Sequence, residues 1–282
     1  MLAKEIDISP VLAKIQEVRS IDFSLYRDNT LRRRLNRRLV ACQCDDIPTY
    51  LTLLDTYPYE YDLLLRDLTI KYTEFFRDSW VFDLIRSRVM PRILADKHIC
   101  DSLNMWSAAC ATGEEAYSLA VLVRQMALDQ QCSEVRILGT DIDPTAIAAA
   151  RAGKYVKDLM PKPLNNDISV YFHDEDKRIA ILPELKESVE FQLHDLTSKS
   201  AANELKKIFS ENFDLIMCRN VLMYLRRSTQ TDVMELCYDF LKPGGFLIIG
   251  TGETVPKCME KQLILLEQKA KIYRKECREN LG

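Results

Sequence analysis

The spacing of apolar positions divides the chain into two parts of different rhythm. Over residues 1–95 apolar residues recur every three or four positions and no glycine occurs, which is the signature of amphipathic helices. Helices are predicted over 11–21, 25–41, 47–56, 60–70 and 80–93, with a polar linker at 95–101. From residue 103 onward, short apolar runs alternate with helical periods. Strands are predicted over 103–109, 135–140, 189–193, 212–218 and 246–249, and helices over 114–126, 144–152 and 229–241. Pro144 suits the first turn of its helix and Gly153 closes it. Lys242-Pro243-Gly244-Gly245 reads as a tight turn, and the tail 263–274 as strand pairing that finishes a sheet. Residues 154–185 break the rhythm. They carry Pro161, Pro163 and Pro183 and the runs ISVYF and RIAIL, and read as a small β-hairpin excursion.

The middle of the chain carries the candidate chemistry. A strand at 103–109 leads through small residues at 110–113 into the helix at 114–126, and the strand at 135–140 is followed at once by Asp141 and Asp143. In such a β-α-β unit the ligand sits beyond the carboxyl ends of the strands, and an acid after the second strand takes ribose hydroxyls. The loop lacks the glycine fingerprint of dinucleotide sites, and Glu114 and Glu115 open the helix. Two carboxylates there would repel a phosphate, which needs bare N–H groups. A cationic, phosphate-free adenosine ligand suits the loop better, and S-adenosylmethionine (SAM) carries a ribose, an ammonium and a sulfonium. On spacing alone a plain α/β core remains open, because first-turn acids also serve as dipole partners.

Composition narrows the remaining classes. The 282 residues allow one large domain or two smaller ones, and nearly half are apolar. The net charge of −3 implies no general attraction to nucleic acid. Nine cysteines stand in no framework spacing, Cys42 and Cys44 are too close for a usual zinc pair, and there are three histidines. Reduced thiols, no metal site and a cytoplasmic location follow as expectations. No signal peptide is seen, and no apolar run is long enough to span a bilayer. Cys110 and His194 are expected to be structural, and Phe75 and Phe76 to be core, with Thr73 and Arg77 offering polar groups beside them. Leu31, Leu35 and Leu39 make a core-facing stripe, with Arg32, Arg33, Arg34, Arg37 and Arg38 on the other faces. That helix is either a solvated basic face or a docking surface for an acidic partner, since guanidinium forks pair with carboxylates.

The segments TEFFRD, WSAACATGEEAYSLA, GTDID, VEFQLHDL, CRNVLMYL and LKPGGFLIIGTGE, in this order, resemble those of the chemoreceptor (methyl-accepting chemotaxis protein) glutamate O-methyltransferases, the CheR family. The resemblance runs along nearly the whole chain. It is more specific than LKPGG, which marks only a SAM-dependent methyltransferase-like sheet. It implies an α/β fold: a class I SAM-dependent methyltransferase (Rossmann-like) seven-stranded sheet with a small β-subdomain insertion, preceded by an all-helical N-terminal domain. The corresponding division is 1–95 and 96–282, with the insertion at approximately 155–188.

The resemblance also implies SAM as cofactor, S-adenosylhomocysteine as product, and glutamyl methyl esters on a receptor. Carried over by motif, Thr73 and Arg77 reach the cofactor from the N-terminal side, Glu115, helped by Glu114, meets its methionine end and Asp141 its ribose. Asp195 and Leu196 flank the adenine, with Arg219 and Asn220 beneath, and Arg77 and Tyr224 stand nearest the transferred methyl as the catalytic pair. Lys71 is a further cofactor contact, standing where the family has asparagine; Asp195 also replaces an asparagine, and Ala116 a proline. An aspartate accepts hydrogen bonds but cannot donate one when ionised. The turn at 173–178 is short and lacks the glycine of members that grip a receptor's C-terminal pentapeptide, so an untethered enzyme is expected. The implied partner is the cytoplasmic domain of a receptor docked through the arginine helix, with no nucleic acid, no membrane insertion and a monomeric state. Two rivals remain. One is a non-catalytic CheR-like regulator binding receptor or nucleotide. The other is a methyltransferase of another substrate.

Overall fold

The computed structural model describes residues 6–69, 72–95, 102–126, 132, 134–157 and 168–276. The N-terminal helices are α1 (Ser9–Arg19), α2 (Asp28–Ala41), α3 (Ile47–Thr56) and α4 (Tyr59–Leu68). The predicted stripe of α2 is buried as its spacing requires. Leu31, Leu35 and Leu39 meet Val11 and Ile15 of α1 and Leu64 of α4 in a core of their own. The helix predicted over 25–41 starts later. Asp22 accepts a 2.9 Å bond from Ser24 N and caps a 3₁₀ turn, Phe23–Leu25. Tyr26 then pairs as a β-bridge with Leu225, far along the chain, and this pairing holds the backbone extended until Asp28.

Helix α5 (Ser79–Leu84) runs through a π-helical turn, Ile85–Val89, into α6 (Met90–Ala95). Val81, Phe82, Ile85, Val89 and Ile93 share their core with Leu103 and Met105, so this helix packs with the sheet domain rather than with α1–α4.

The sheet domain continues with β1 (Leu103–Ala108), α7 (Glu114–Gln125), β2 (Val135–Asp141) and α8 (Pro144–Ala152). Then come β3 (Lys154–Val156), β4 (Phe172–Glu175), β5 (Arg178–Ile181), α9 (Pro183–Lys186), β6 (Val189–Leu193) and α10 (Ala201–Ile208). The domain ends with β7 (Phe213–Cys218), α11 (Arg227–Phe240), β8 (Leu241–Ile249), β9 (Leu263–Glu267) and β10 (Ile272–Lys275). Seven strands form one sheet in the order β6-β2-β1-β7-β8-β10-β9. The pairs from β6 to β8 are parallel, and β10 is antiparallel to both its neighbours. Every residue of β1 and β7 is buried, as parallel strands covered on both faces require. Strand order reverses between β1 and β7, and a ligand crevice opens beyond their carboxyl ends at such a point.

The excursion is a three-stranded antiparallel sheet, β3-β5-β4. The ISVYF run enters it only at Phe172, because Ser169–Tyr171 forms a 3₁₀ turn. Pro161 and Pro163 lie outside the described residues. Helix α10 has no counterpart among the predicted elements. It is short and buries Ala201 and Leu205, with Ala202 and Ile208 packed at the edge of the same core. The Lys242–Gly245 segment is not a turn before a strand but a wide bulge within β8: Phe213 faces Leu241, and two residues on, Leu215 already faces Phe246. A β-carbon on Gly245 would lie 2.9 Å from the Lys242 carbonyl oxygen, so the bulge needs glycine there.

Candidate functional site

A crevice opens between the carboxyl ends of the strands and the N-terminal helices. Asp141, Asp195 and Leu196 line it from the sheet side, and Tyr26, Leu31 and Leu68 from the helical side. The space within it is about 800 Å³, part of it open to solvent. A polar recess adjoins it, lined by Thr73, Arg77, Glu115 and Arg219. Ala109, Ala111 and Asn220 line both spaces, so crevice and recess form one continuous site.

The loop after β1 is shaped by three left-handed residues, Ala109 (φ 60°), Ala111 (φ 49°) and Gly113 (φ 96°). Asp141 fixes it: one oxygen accepts from Ala111 N at 2.9 Å, the other from Asp143 N at 2.9 Å. Cys110 is buried beneath, its thiol pushed well up by burial and the nearby acids, and therefore an inert filler as expected. Asp143 caps α8 through Thr145 N and Ala146 N, and accepts from Thr69 Oγ1 at 3.2 Å, linking the two domains.

Of the paired glutamates only Glu115 faces the site. It accepts from Ser107 Oγ at 2.8 Å and from Arg219 Nη1 at 3.4 Å. Glu114 is buried and turned to Thr112 Oγ1 at 2.7 Å, with burial raising its pKa. The Arg219 guanidinium is 1% exposed and bonds Asp78 Oδ2 at 2.5 Å and the Arg77 carbonyl at 3.1 Å. Arg219 therefore lies in the recess with Glu115 rather than beneath Leu196 in the crevice. Two carboxylates around one buried cation keep its charge compensated. Its Nε has no hydrogen-bond partner among the described residues.

Phe75 and Phe76 are buried and anchor the segment that carries Thr73 and Arg77. Phe76 N donates to Ser118 Oγ at 2.8 Å, and Phe76 and Asp78 take left-handed φ of 53° and 56°. Arg77 lies over the Tyr72 ring at 5.0 Å and donates to the Tyr72 carbonyl at 2.8 Å. Of the nine left-handed non-glycine residues among the described residues, five, Phe76, Asp78, Ala109, Ala111 and Asn220, lie in the loops that form this site, so backbone strain gathers there.

Tyr224 lines the crevice, and its carbonyl accepts from Arg27 N at 2.9 Å. Asp195 binds Thr197 N at 2.8 Å and Thr197 Oγ1 at 2.7 Å. His194 is buried against Trp106, and desolvation lowers its pKa, which fits the structural role expected of it. Lys71 lies outside the described residues.

Three of the five arginines proposed as a docking face are engaged within the N-terminal domain. Arg38 grips buried Glu60 with two nitrogens, one at 2.6 Å. Arg34 donates to the Asp67 carbonyl at 2.6 Å and Arg32 to that of Ile6. Arg33 and Arg37 are the exposed pair. The expected face is thus smaller than its sequence, because α2 uses its other guanidinium groups to close its own domain.

Tyr26 lines the crevice, Ser107 and Asp78 hold Glu115 and Arg219, and Ser118 holds Phe76 N; the sequence singled out none of the four. For Tyr26 no local signal exists, because its place depends on the bridge to Leu225. Asp78 was readable only as the last letter of TEFFRD.

Residues 71–272 match the family model described as CheR methyltransferase, SAM binding domain, and residues 6–69 match CheR methyltransferase, all-alpha domain. The chain belongs to the CheR methyltransferase family. It is accordingly a SAM-dependent methyltransferase. A CheR relative, the chemotaxis protein methyltransferase of Listeria innocua, is 30% identical over 83% of this chain and 85% of its own length. Chemotaxis protein methyltransferase 2 of Pseudomonas aeruginosa is 31% identical over 88% of this chain and 86% of its own. An uncharacterized 104.1 kDa protein of Rhodobacter capsulatus is 29% identical over 90% of this chain, which spans 26% of that protein. Among solved structures, the N-methyltransferase NodS of Bradyrhizobium japonicum with S-adenosylhomocysteine aligns with TM-score 0.40 and 17% identity over 71% of this chain and 90% of that one. The residues present fit the CheR cofactor. Carboxylates, not bare N–H groups, face the site at Glu115 and Asp141, which suits an ammonium and ribose hydroxyls and disfavours a phosphate.

Proposed function

We propose that this CheR methyltransferase esterifies glutamate side chains on the cytoplasmic part of a methyl-accepting chemotaxis receptor, working in the cytoplasm without a pentapeptide tether. The observation that carries the reading is the continuity of the site. An apolar crevice with Asp141 and Asp195 runs into a recess with Glu115, and Arg77 and Tyr224 belong to its two parts. Relatives named chemotaxis protein methyltransferase support the receptor as substrate. The two-residue β4–β5 turn, Asp176-Lys177, supports the absence of a tether.

Bound SAM would supply an electrophilic methyl group on a sulfonium. In our reading Asp141 accepts the ribose hydroxyls and Glu115 takes the ammonium. Arg77 swings from Tyr72 to hold the incoming carboxylate, and Tyr224 orients it by a hydrogen bond. The incoming carboxylate oxygen would take that methyl as its bond to sulfur breaks, the bonding electron pair staying with sulfur. The reactant charges cancel, so a dry site favours the step once binding offsets desolvation. The chain's main task is alignment, which supplies roughly 7–11 kcal/mol in well-oriented systems. Tyr26, Leu31 and Leu68 line the crevice from the helical side and give it apolar surface. Arg33 and Arg37 remain to meet an acidic receptor helix.

The test is transfer of labelled methyl to a purified receptor cytoplasmic fragment. Base-labile label on glutamate supports the reading. Binding of S-adenosylhomocysteine with no label transferred would turn it to another substrate. A receptor C-terminal pentapeptide that binds in calorimetry at micromolar strength would restore the tether.

A further inference from the structure

Glu253 follows β8 in the motif GTGE and is 4% exposed. A carboxylate that deep must be paired or fully hydrogen-bonded. Among the described residues it pairs with no lysine or arginine, and its partners are backbone N–H groups. Oε2 accepts from Gly250 N at 2.7 Å and Asn220 N at 3.0 Å, and Oε1 accepts from Met223 N at 3.1 Å. The Leu222 N–H adds to this set. Three of these four donors lie in the segment 220–223, between Arg219 and Tyr224.

That segment does not hold itself. Asn220 has φ 59°, a left-handed conformation that costs free energy in a residue with a β-carbon. The following Leu222–Tyr224 is a single 3₁₀ turn, whose first N–H groups have no partner inside the turn. Glu253 supplies those partners from the loop after β8. Space around it is closed as well: a β-carbon on Gly250 would lie 2.6 Å from Glu253 Oε2 and 2.9 Å from Asn220 N.

We propose that Glu253 is a positioning residue, whose carboxylate serves as the template on which the loop carrying Arg219, Asn220 and Tyr224 is folded into the cofactor site. It touches neither cofactor nor substrate and acts through the backbone of that loop. Burial raises its pKa, and the N–H groups of Gly250, Met223, Asn220 and Leu222 oppose that rise. This inference rests on the cofactor site of the family and not on the identity of the methyl acceptor, so a failure to methylate receptor leaves it standing.

Glu253→Gln replaces one acceptor oxygen by an N–H₂ that faces backbone donors. Gly250→Ala presses on the same clamp while leaving Glu253 in place. Both variants should retain cooperative unfolding yet bind S-adenosylhomocysteine roughly tenfold more weakly, since charged hydrogen bonds are lost. Hydrogen exchange should lose protection at the Asn220, Leu222 and Met223 amides while β1 and β7 keep theirs. A role confined to stability would lower the melting temperature and leave the folded enzyme's affinity and the local exchange pattern unchanged. If Glu253→Gln fails to fold, Gly250→Ala decides. Affinity within twofold of wild type with those amides still protected would overturn the proposal, and local deprotection with weakened binding would establish it.

Discussion

The two walls of the crevice are held in different ways. The sheet wall depends on charge: half-buried Asp141 pins the loop after β1, and in the adjoining recess buried Arg219 is gripped by Asp78 and Glu115. The helical wall depends on packing and on main-chain pairing. Leu31 and Leu68 present apolar surface from the separate core of α1–α4. Residues 25–27 meet 224–226 through backbone bonds, with Arg226 bonded at 2.6 Å to Asp28 at the start of α2. A buried charged bond that loses one partner leaves the other desolvated and unmatched, at several kcal/mol. An apolar wall loses contact area by degrees. Substitutions on the sheet wall should therefore abolish binding, and those on the helical wall should grade it.

The severest break of this contrast is Asp141→Ala. It removes an acceptor from the site and frees the Ala111 N–H, and binding of S-adenosylhomocysteine in calorimetry should fall by roughly a hundredfold or more. Wild-type affinity in that variant would detach the sheet wall from the cofactor. Arg77 stands at the junction of the walls. Arg77→Ala should lower turnover by roughly a hundredfold; near-normal methyl transfer would remove it from the mechanism. On the outer face of the helical wall, reversing Arg33 and Arg37 to glutamate should weaken receptor methylation by about tenfold, more at low salt, because exposed charge acts on encounter. If methylation and cofactor affinity both stay intact, α2 is merely a solvated basic helix.

Acid sharpens the comparison beneath the sheet wall. His194 is neutral in the fold because burial lowers its pKa below 6.5. The unfolded chain then binds the proton first, so this residue's contribution is full above about pH 6.5 and is lost as pH falls toward its folded value. Glu114 and Glu253, whose pKa values are raised, have the opposite sign. The drop in urea midpoint between pH 7.5 and 5.5 should therefore be smaller in His194→Phe than in wild type, and an equal drop would assign acid sensitivity elsewhere. The smallest effect belongs to the bond between the walls. Thr69→Ala removes the hydrogen bond to Asp143 and should cost about 1 kcal/mol of unfolding free energy, measured in urea, with cofactor affinity nearly unchanged.

Much of this architecture is readable from local spacing. The α2 stripe, the proline-capped α8 and the buried strands β1 and β7 lie close to where their periods place them, because each is stabilised by residues three, four or two positions away. The motif segments also carry the crevice, since strand ends and the loops after them are adjacent in sequence. Asp141 ends β2, Asp195 stands two residues past β6, and Glu115 lies in the first turn of the helix after β1.

Partner choice among like residues was not readable in the same way. Arg33 and Arg38 lie on one helix in one basic run, yet Arg38 closes on Glu60 and Arg33 faces solvent. Glu114 and Glu115 are neighbours, yet burial turns one to Thr112 and the other to Arg219. Tyr26 reaches the crevice because its backbone pairs with Leu225 in a distant loop, and Arg219 lies in the recess because Asp78 meets it there. Each outcome is settled by a desolvation cost or a pairing between segments remote in the chain, and local periodicity has no access to either.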